Sequence, residues 1–297
     1  MRRHAQAPGT CNGVRARRGT PRRQRGLADR PERATPYHAT APTTDPLAPM
    51  KAFDSSSLWR ISQFRKARNE GRLDLERGGD RATVLPTTLL ADLRRLQGEG
   101  ADGDVVEVIA ACVRNQEAAL LYLEQGEFVW PVTLFPREGL YHSPRDALVM
   151  AASLALSGLR LLIVEPPGVR PPGHPMHERI AGRNRYRPLA GLLWAVALHG
   201  PRPVVLREIA GRVAYRLVSS HASELPPARG AISSTVLRLE RQSASLGEIA
   251  RWPGMSIERA SRVLNALYLC GALIVTRSHP AARHAPVGWR GLFARRR

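Results

Sequence analysis

Three groups of side chains in this 297-residue chain have the types that catalysis or metal binding uses. His174 and His177 form an HxxH pair inside the stretch 166–187. A metal such as zinc takes three or four Cys, His or carboxylate ligands, and no third ligand stands at a suitable spacing, so the pair reads as solvent-exposed. Tyr141-His142-Ser143, followed by Asp146, contains the members of a nucleophilic triad. Ser143 also precedes Pro144, and Ser at N-cap with Pro in the first turn is the ordinary start of a helix. The cap is the better account of that serine. Cys11, Cys112 and Cys270 are far apart with no CxxC, which argues against a disulfide framework and suits a reducing compartment, hence the cytoplasm. The chain has no GxSxG, no HExxH, no GxGxxG after a strand and no phosphate-cradling glycine loop ending in Lys-Ser/Thr. The sequence therefore predicts a non-enzyme without metal or cofactor.

Charge points in another direction. The net charge is +20, carried by 43 Arg and two Lys against 25 acids. Residues 1–49 hold ten Arg and three acids, residues 227–297 hold twelve Arg and three acids, and the middle is close to balanced. Basic ends attract polyanions by neutralising phosphates and releasing counterions. An Arg-rich, Lys-poor composition also results from GC-rich coding, so charge alone leaves the partner open.

The elements that must position any site divide the chain into six regions. Residues 1–49, rich in Arg, Pro, Thr and Ala without apolar periodicity, read as a disordered tail, and Met50 offers an alternative true start. Leu58, Ile61 and Phe64 have helical spacing. Residues 85–166 read as an α+β domain. It opens with a helix carrying Leu89, Leu90, Leu93 and Leu96, continues with strands over Val105–Val113, Ala119–Leu123 and Phe128–Phe135, and closes with a helix after Ser143 and a strand over Leu159–Val164. Pro131 predicts that the third of those strands is broken or at an edge. Ala147–Val164 is apolar enough to need a membrane check, but Gly158 and Arg160 split it into helix and strand, and no membrane span is expected. Residues 167–187 read as a Pro/Gly-rich linker. Residues 188–226 read as a helical connector with helices over Pro188–His199 and Val204–Ser219. Leu206–Ala210 (LREIA) echoes Leu246–Ala250 (LGEIA), so the connector could be a degenerate repeat of the unit at 227–280. Residues 281–297 are a basic tail.

Residues 227–280 carry the most specific pattern. A helix fits 231–242. Ser245 caps a short second helix, with Glu248 in the reciprocal capping position. Pro253-Gly254 makes a turn, and Ser256 caps a third helix with Ile257, Ala260, Val263, Leu264 and Leu267 facing inward. Gly271 ends it, and Leu273–Thr276 is a short strand. This order resembles the winged helix-turn-helix superfamily. The matching residues are Ser245, Leu246, Glu248, Ile249 and Ala250, then Gly254, Ser256, Ala260, Val263-Leu264, Leu267 and Gly271 to Ile274. The expected fold class is accordingly α+β, a small antiparallel sheet with helices, a helical connector and a C-terminal winged helix.

The resemblance implies a third helix lying in the major groove of double-stranded DNA, with Ser256, Arg259, Arg262 and Asn265 turned outward. Arg suits guanine and Asn suits adenine. Arg277, Arg283 and His284 would track the phosphate backbone from wing and tail. The implied function is a DNA-binding transcriptional regulator whose N-terminal α+β domain senses a signal or dimerises. The alternative is a non-enzymatic scaffold, a homodimer or a partner-bound protein, whose winged helix docks to protein. The two differ at one surface: the first needs Arg259 and Arg262 on one positive face, the second an exposed apolar patch there.

Overall fold

The computed structural model describes residues 58–70, 84–98, 100, 103–152 and 156–283. In chain order these form β1 (Trp59–Arg60), α1 (Ile61–Asn69), α2 (Thr87–Gly98), α3 (Val105–Asn115), β2 (Ala119–Gln125), β3 (Phe128–Phe135), β4 (Leu140–His142), α4 (Ala147–Ala152) and β5 (Arg160–Glu165). They continue with β6 (Tyr186–Pro188), α5 (Leu189–His199), β7 (Ala214–Leu217), α6 (Gly230–Arg241), α7 (Leu246–Ile249), α8 (Ile257–Leu269) and β8 (Leu273–Thr276). The expectations for the tail 1–49 and its start, and for residues 284–297, fall outside the described residues.

The α+β class holds. An antiparallel sheet has the order β5-β2-β3-β4-β6, with β1 also paired to β3, and β7 pairs separately with β8. The β2–β3 hairpin turns at Gln125-Gly126, where Gly126 takes φ +59° without steric cost. One sheet face, with Leu121, Leu123, Trp130, Val132 and Leu134, meets the helices. The other, with Leu120, Tyr122 and Val129, is met by Phe64 of α1. Pro131 neither breaks β3 nor puts it at an edge. It sits between the residues paired to β1 (128–129) and those paired to β4 (133–135), where no ladder partner waits for its missing N–H.

Two elements differ in kind from the expectation. Val105–Val113 is helix, not strand. A short run that is apolar all round looks the same whether it is a buried strand or a buried helix, and here Val105 to Cys112 are all buried. The deciding local signal is Asp104, whose carboxylate accepts from Val106 N at 3.0 Å and Glu107 N at 3.3 Å as an N-cap. Val204–Ser219 is not a helix. Leu206, Ile209, Val213 and Leu217 all reach the core as the pattern requires, but through a single 3-10 turn (Arg207–Ile209) and then β7. Gly211, at φ +104°, separates the two. Because Arg207–Ile209 is a 3-10 turn and Leu246–Ile249 an α-helix, the LREIA/LGEIA echo does not mark two copies of one unit.

Smaller corrections concern Ser143 and the stretch 167–187. Ser143 is buried and does not cap α4. Its Oγ accepts from Trp130 Nε1 at 2.6 Å, and Asp146 instead accepts from Leu148 N at 2.9 Å. The stretch 167–187 is not a spacer between separate bodies. Tyr186 Oη donates to Arg170 O at 2.5 Å and accepts from Ala181 N at 2.9 Å, and β6 returns the chain to the sheet beside β4. One hydrophobic core then runs from Leu85 to Ala272, through both the sheet region and the C-terminal helices. No described helix is long and apolar enough to cross a membrane.

The segment 200–208 joins the two halves of that core. Arg202, 8% exposed, is paired with Asp104 and, at 2.8 Å, with Glu107, which is 3% exposed. Its Nε and Nη2 donate to the carbonyls of Val204 and Val205, and Glu107 also accepts from Arg207 N at 3.1 Å. Removing one member of a buried pair leaves an uncompensated charge, a loss of about 3–5 kcal/mol. Arg202→Ala is expected to lower the unfolding free energy by about that amount in urea denaturation. Arg202→Met combined with Glu107→Gln should lose less than the single change.

Candidate functional site

The site is built on α8, where the sequence pattern is strongest. α7 begins at Ser245, whose N–H donates to Glu248 Oε2 at 2.7 Å and whose hydroxyl donates to the same oxygen at 2.9 Å. Trp252-Pro253-Gly254 then turns the chain. Gly254 sits at φ +73° with its Cα so close to α6 that a Cβ would stand 2.8 Å from Ala231 Cβ, so a side chain is excluded twice over. Ser256 caps α8 by accepting from Arg259 N at 3.1 Å. At the other end Gly271, at φ +70°, lets its own N–H reach Tyr268 O and Ala272 N–H reach Leu267 O, both at 2.9 Å, which closes the helix as a Schellman motif.

The expected inward face is correct at Ala260, Val263, Leu264 and Leu267, all fully buried. It fails at Ile257, which is 51% exposed. The expected outward face is only half correct. Ser256 and Arg259 are exposed, and Arg259 Nη1 donates to Gly254 O at 2.5 Å. Asn265 is not outward. It is 0% exposed, and its Nδ2 donates to Val204 O at 2.9 Å while its Oδ1 accepts from Leu206 N at 2.8 Å. Arg262 also turns inward. Its Nη1 donates to Leu198 O at 3.2 Å and Gly200 O at 2.6 Å, its Nε to Glu258 at 3.0 Å, and its side chain keeps 18% exposure. Ser261 and Ala266 are buried as well.

The reason lies in the tertiary structure. α8 packs along α5, so the flank that carries Arg262 and Asn265 is covered. The carbonyls at the C-terminal end of α5 need donors, and a cation there also complements the helix dipole; Arg262 supplies both. Asn265 satisfies the two backbone groups of the extended segment 204–206. Tyr268 and Glu208 are hydrogen-bonded one turn further along, and Glu208 also pairs with Arg114 of α3.

Beyond α8, Arg277 is exposed just after β8. Arg283 ends a short 3-10 turn, Pro280–Arg283; its side chain and His284 lie outside the described residues. β8 does not open a hairpin with a later described strand. It pairs with β7 upstream, and Ala281 and Ala282 fold back against Ala214.

A cleft of about 560 Å³ remains open at the first turn of α8, between the end of α5 and the start of α6. Leu198, Ile232 and Met255 give it apolar walls, and His199, Ser256, Glu258, Arg259 and Arg262 are its polar lining. Reading the sequence element by element misses this cleft, because its walls come from three helices far apart in the chain. Burial, and secondarily the Arg262 guanidinium, hold His199 below its ordinary value of 6.5. Near the same unit, Leu237 on α6 and Ile274 on β8 are exposed, as is Ile257.

The other candidates for chemistry do not assemble. Among the described residues no group of His, Cys, Asp and Glu could hold a metal ion. His174 Nδ1 accepts from Met176 N at 3.1 Å within its own loop. Burial pushes the thiols of Cys112 and Cys270 up to about 12, so neither supplies a thiolate at neutral pH. Comparison with known proteins returns no matching family model, no matching curated protein and no matching solved structure.

Asn265→Ala is expected to cost about 1–3 kcal/mol of stability, since it leaves Leu206 N–H and Val204 O without partners. Arg259→Ala, at an exposed position, should stay within about 0.5 kcal/mol. Chemical denaturation of both variants checks the contrast. Because His199 is held low in the folded state, the unfolded chain binds the proton more readily, and stability falls as pH drops through 6.5. His199→Gln should flatten that part of the profile measured by thermal denaturation against pH.

Proposed function

We propose that this chain is a non-enzymatic protein-interaction scaffold. Its α6–α8 unit, with the helix order of a winged helix-turn-helix, is built into the body through α8. It offers partners the cleft at the first turn of that helix. The observation that carries this reading is the use of Arg262 and Asn265: both are engaged by α5 and the segment 204–206, inside the molecule. A groove-reading helix needs those positions free over several turns. Here only Ser256, Ile257, Glu258 and Arg259 are open among residues 256–270. Apolar walls with an exposed Arg259 suit a protein segment that places an apolar anchor beside an acidic side chain.

A second reading has its own support. Arg259 and Arg277 remain exposed, and the sequence from 227 onward holds twelve Arg against three acids. Contacts from such residues would go to phosphates and not to bases, giving nucleic-acid binding without sequence preference.

Two measurements on the full chain separate these readings from a DNA-binding regulator. In fluorescence anisotropy against two unrelated duplexes, the scaffold reading expects equal, weak binding that vanishes as salt rises. Sequence-selective binding at physiological salt that weakens in Arg259→Ala would overturn it and restore the regulator. In a displayed-peptide selection, acidic peptides with an apolar anchor should be enriched and should be lost on Arg259→Glu. Failure to enrich any Arg259-dependent peptide removes the scaffold reading at this cleft.

A further inference from the structure

The cleft at the first turn of α8 is lined by one group whose charge changes near neutral pH. His199 ends α5, is half-buried, and shares the cleft with Ser256, Glu258, Arg259 and Arg262. Arg262 is held beside it, because its Nη1 donates to the carbonyls of the residues on either side, Leu198 at 3.2 Å and Gly200 at 2.6 Å. Glu258, the acid among the lining residues, accepts from Arg262 Nε at 3.0 Å, so its charge is spent on that guanidinium. Arg259 gives one N–H to Gly254 O at 2.5 Å and has further donors for a ligand. From α6 the cleft receives Ile232, which brings no charge. Arg202, in the segment that follows α5, is committed to Asp104 and to Glu107 of α3.

The charge balance of this lining decides what can enter. Arg259 and Arg262 against Glu258 leave one positive charge while His199 is neutral, and a proton on His199 makes it two. Burial first, and then the Arg262 guanidinium, hold the ring below its ordinary 6.5. A carboxylate placed beside Arg259 reverses the second of these effects. It cancels the excess charge and gives an imidazolium an opposite charge to face, which favours the protonated ring. A partner lying in the cleft also takes more water from His199, which acts the other way. The ring has already lost part of its water, whereas the opposite charge is wholly new, so the charge contact is the larger effect.

We propose that His199 makes binding at this cleft proton-linked: an acidic protein segment with an apolar anchor enters together with a proton on the imidazole. The inference rests on the scaffold reading and adds the regulation of the same site. The coupling is reciprocal, since the partner tightens proton binding by the factor by which the proton tightens partner binding. Its sign follows from the charges. The partner raises the value at which His199 titrates, so affinity grows as pH falls through the bound-state value and is fully gained below the value of the chain alone. Leu198, Ile232 and Met255 supply the part of the affinity that does not vary with pH. The cleft therefore holds its partner in mildly acidic medium and releases it above neutrality.

The test is calorimetric titration of the full chain with two probes, the blocked dipeptide acetyl-leucyl-aspartyl amide and its asparaginyl counterpart. Ionic strength is held constant and pH runs from about 8 to about 5.5, a range in which the aspartyl carboxylate stays ionised. The aspartyl probe should bind about tenfold or more tightly at the acid end than at the alkaline end. Near pH 6.5 its binding should take up protons, read as a heat that changes with the ionisation enthalpy of the buffer. The asparaginyl probe should gain nothing with acid. H199Q should bind the aspartyl probe with an affinity that does not vary over this range, with circular dichroism confirming its fold. Should H199Q fail to fold, the ring resonances of the unaltered chain are the second measurement, and His199 should titrate about one pH unit higher with the aspartyl probe than without it. An acid gain that persists in H199Q, binding without proton uptake, or a ring titration that the probe leaves in place would each overturn the linkage and leave the scaffold reading standing. Binding of neither probe at any pH would remove both.

Discussion

The structure turns on a short extended segment, residues 200–208, that is gripped from two sides. From α3, Glu107 and Asp104 hold Arg202, and Glu107 also takes the N–H of Arg207. From α8, Asn265 takes the N–H of Leu206 and donates to the carbonyl of Val204. Glu208 then touches both Arg114 of α3 and Tyr268 of α8. A segment without its own ladder must satisfy its backbone groups through side chains or water. These side chains come from the two helices it has to join. Burial of Arg202 and Glu107 is tolerable only because each neutralises the other, and the pair ties the segment to α3.

That grip, together with α5, occupies Arg262 and Asn265 along one flank of α8. The local chemistry of α8 is of the kind a groove-reading helix has: a serine cap, an apolar stripe, arginines and an asparagine on the other flank, and a glycine stop. Yet the second flank meets α5, and the same polar side chains that could address base edges address main-chain groups instead. A guanidinium and a carboxamide recognise a peptide carbonyl or N–H as readily as a base, since the donors and acceptors are alike. The first turn of α8 stays open, with the cleft it forms beside α5 and α6.

The sheet is arranged on a related principle. β3 lies at its centre although it contains Pro131, because its two neighbours on one side stop short of that residue. β7 and β8, 56 residues apart at their facing ends Leu217 and Leu273, pair at full length. Through them the chain after α8 is tied to the chain before α6, so the C-terminal unit is stitched to the body by strands as well as by helix packing.

Much was decided by sequence alone. The caps at Ser245 and Ser256, the stop at Gly271, the β2–β3 hairpin and most of the apolar face of α8 are local. They depend on residues within a turn or two of each other, and spacing reveals them. The core membership of Leu206, Ile209, Val213 and Leu217 was also readable, since burial follows from apolar type. What spacing could not decide was conformation where burial is complete on all sides. Val105–Cys112 is buried on all sides, Glu107 included, so the run reads as apolar throughout, and the cap at Asp104 marks it as a helix. Positions 206 to 217 fit helical periodicity and still form a turn and a strand, because Gly211 interrupts them and β8 supplies a ladder from far along the chain. The fate of Arg262 and Asn265 was likewise tertiary. A polar side chain on a helix faces solvent until another element arrives, and here α5 and the segment 204–206 arrive with unpaired backbone groups that those two side chains satisfy.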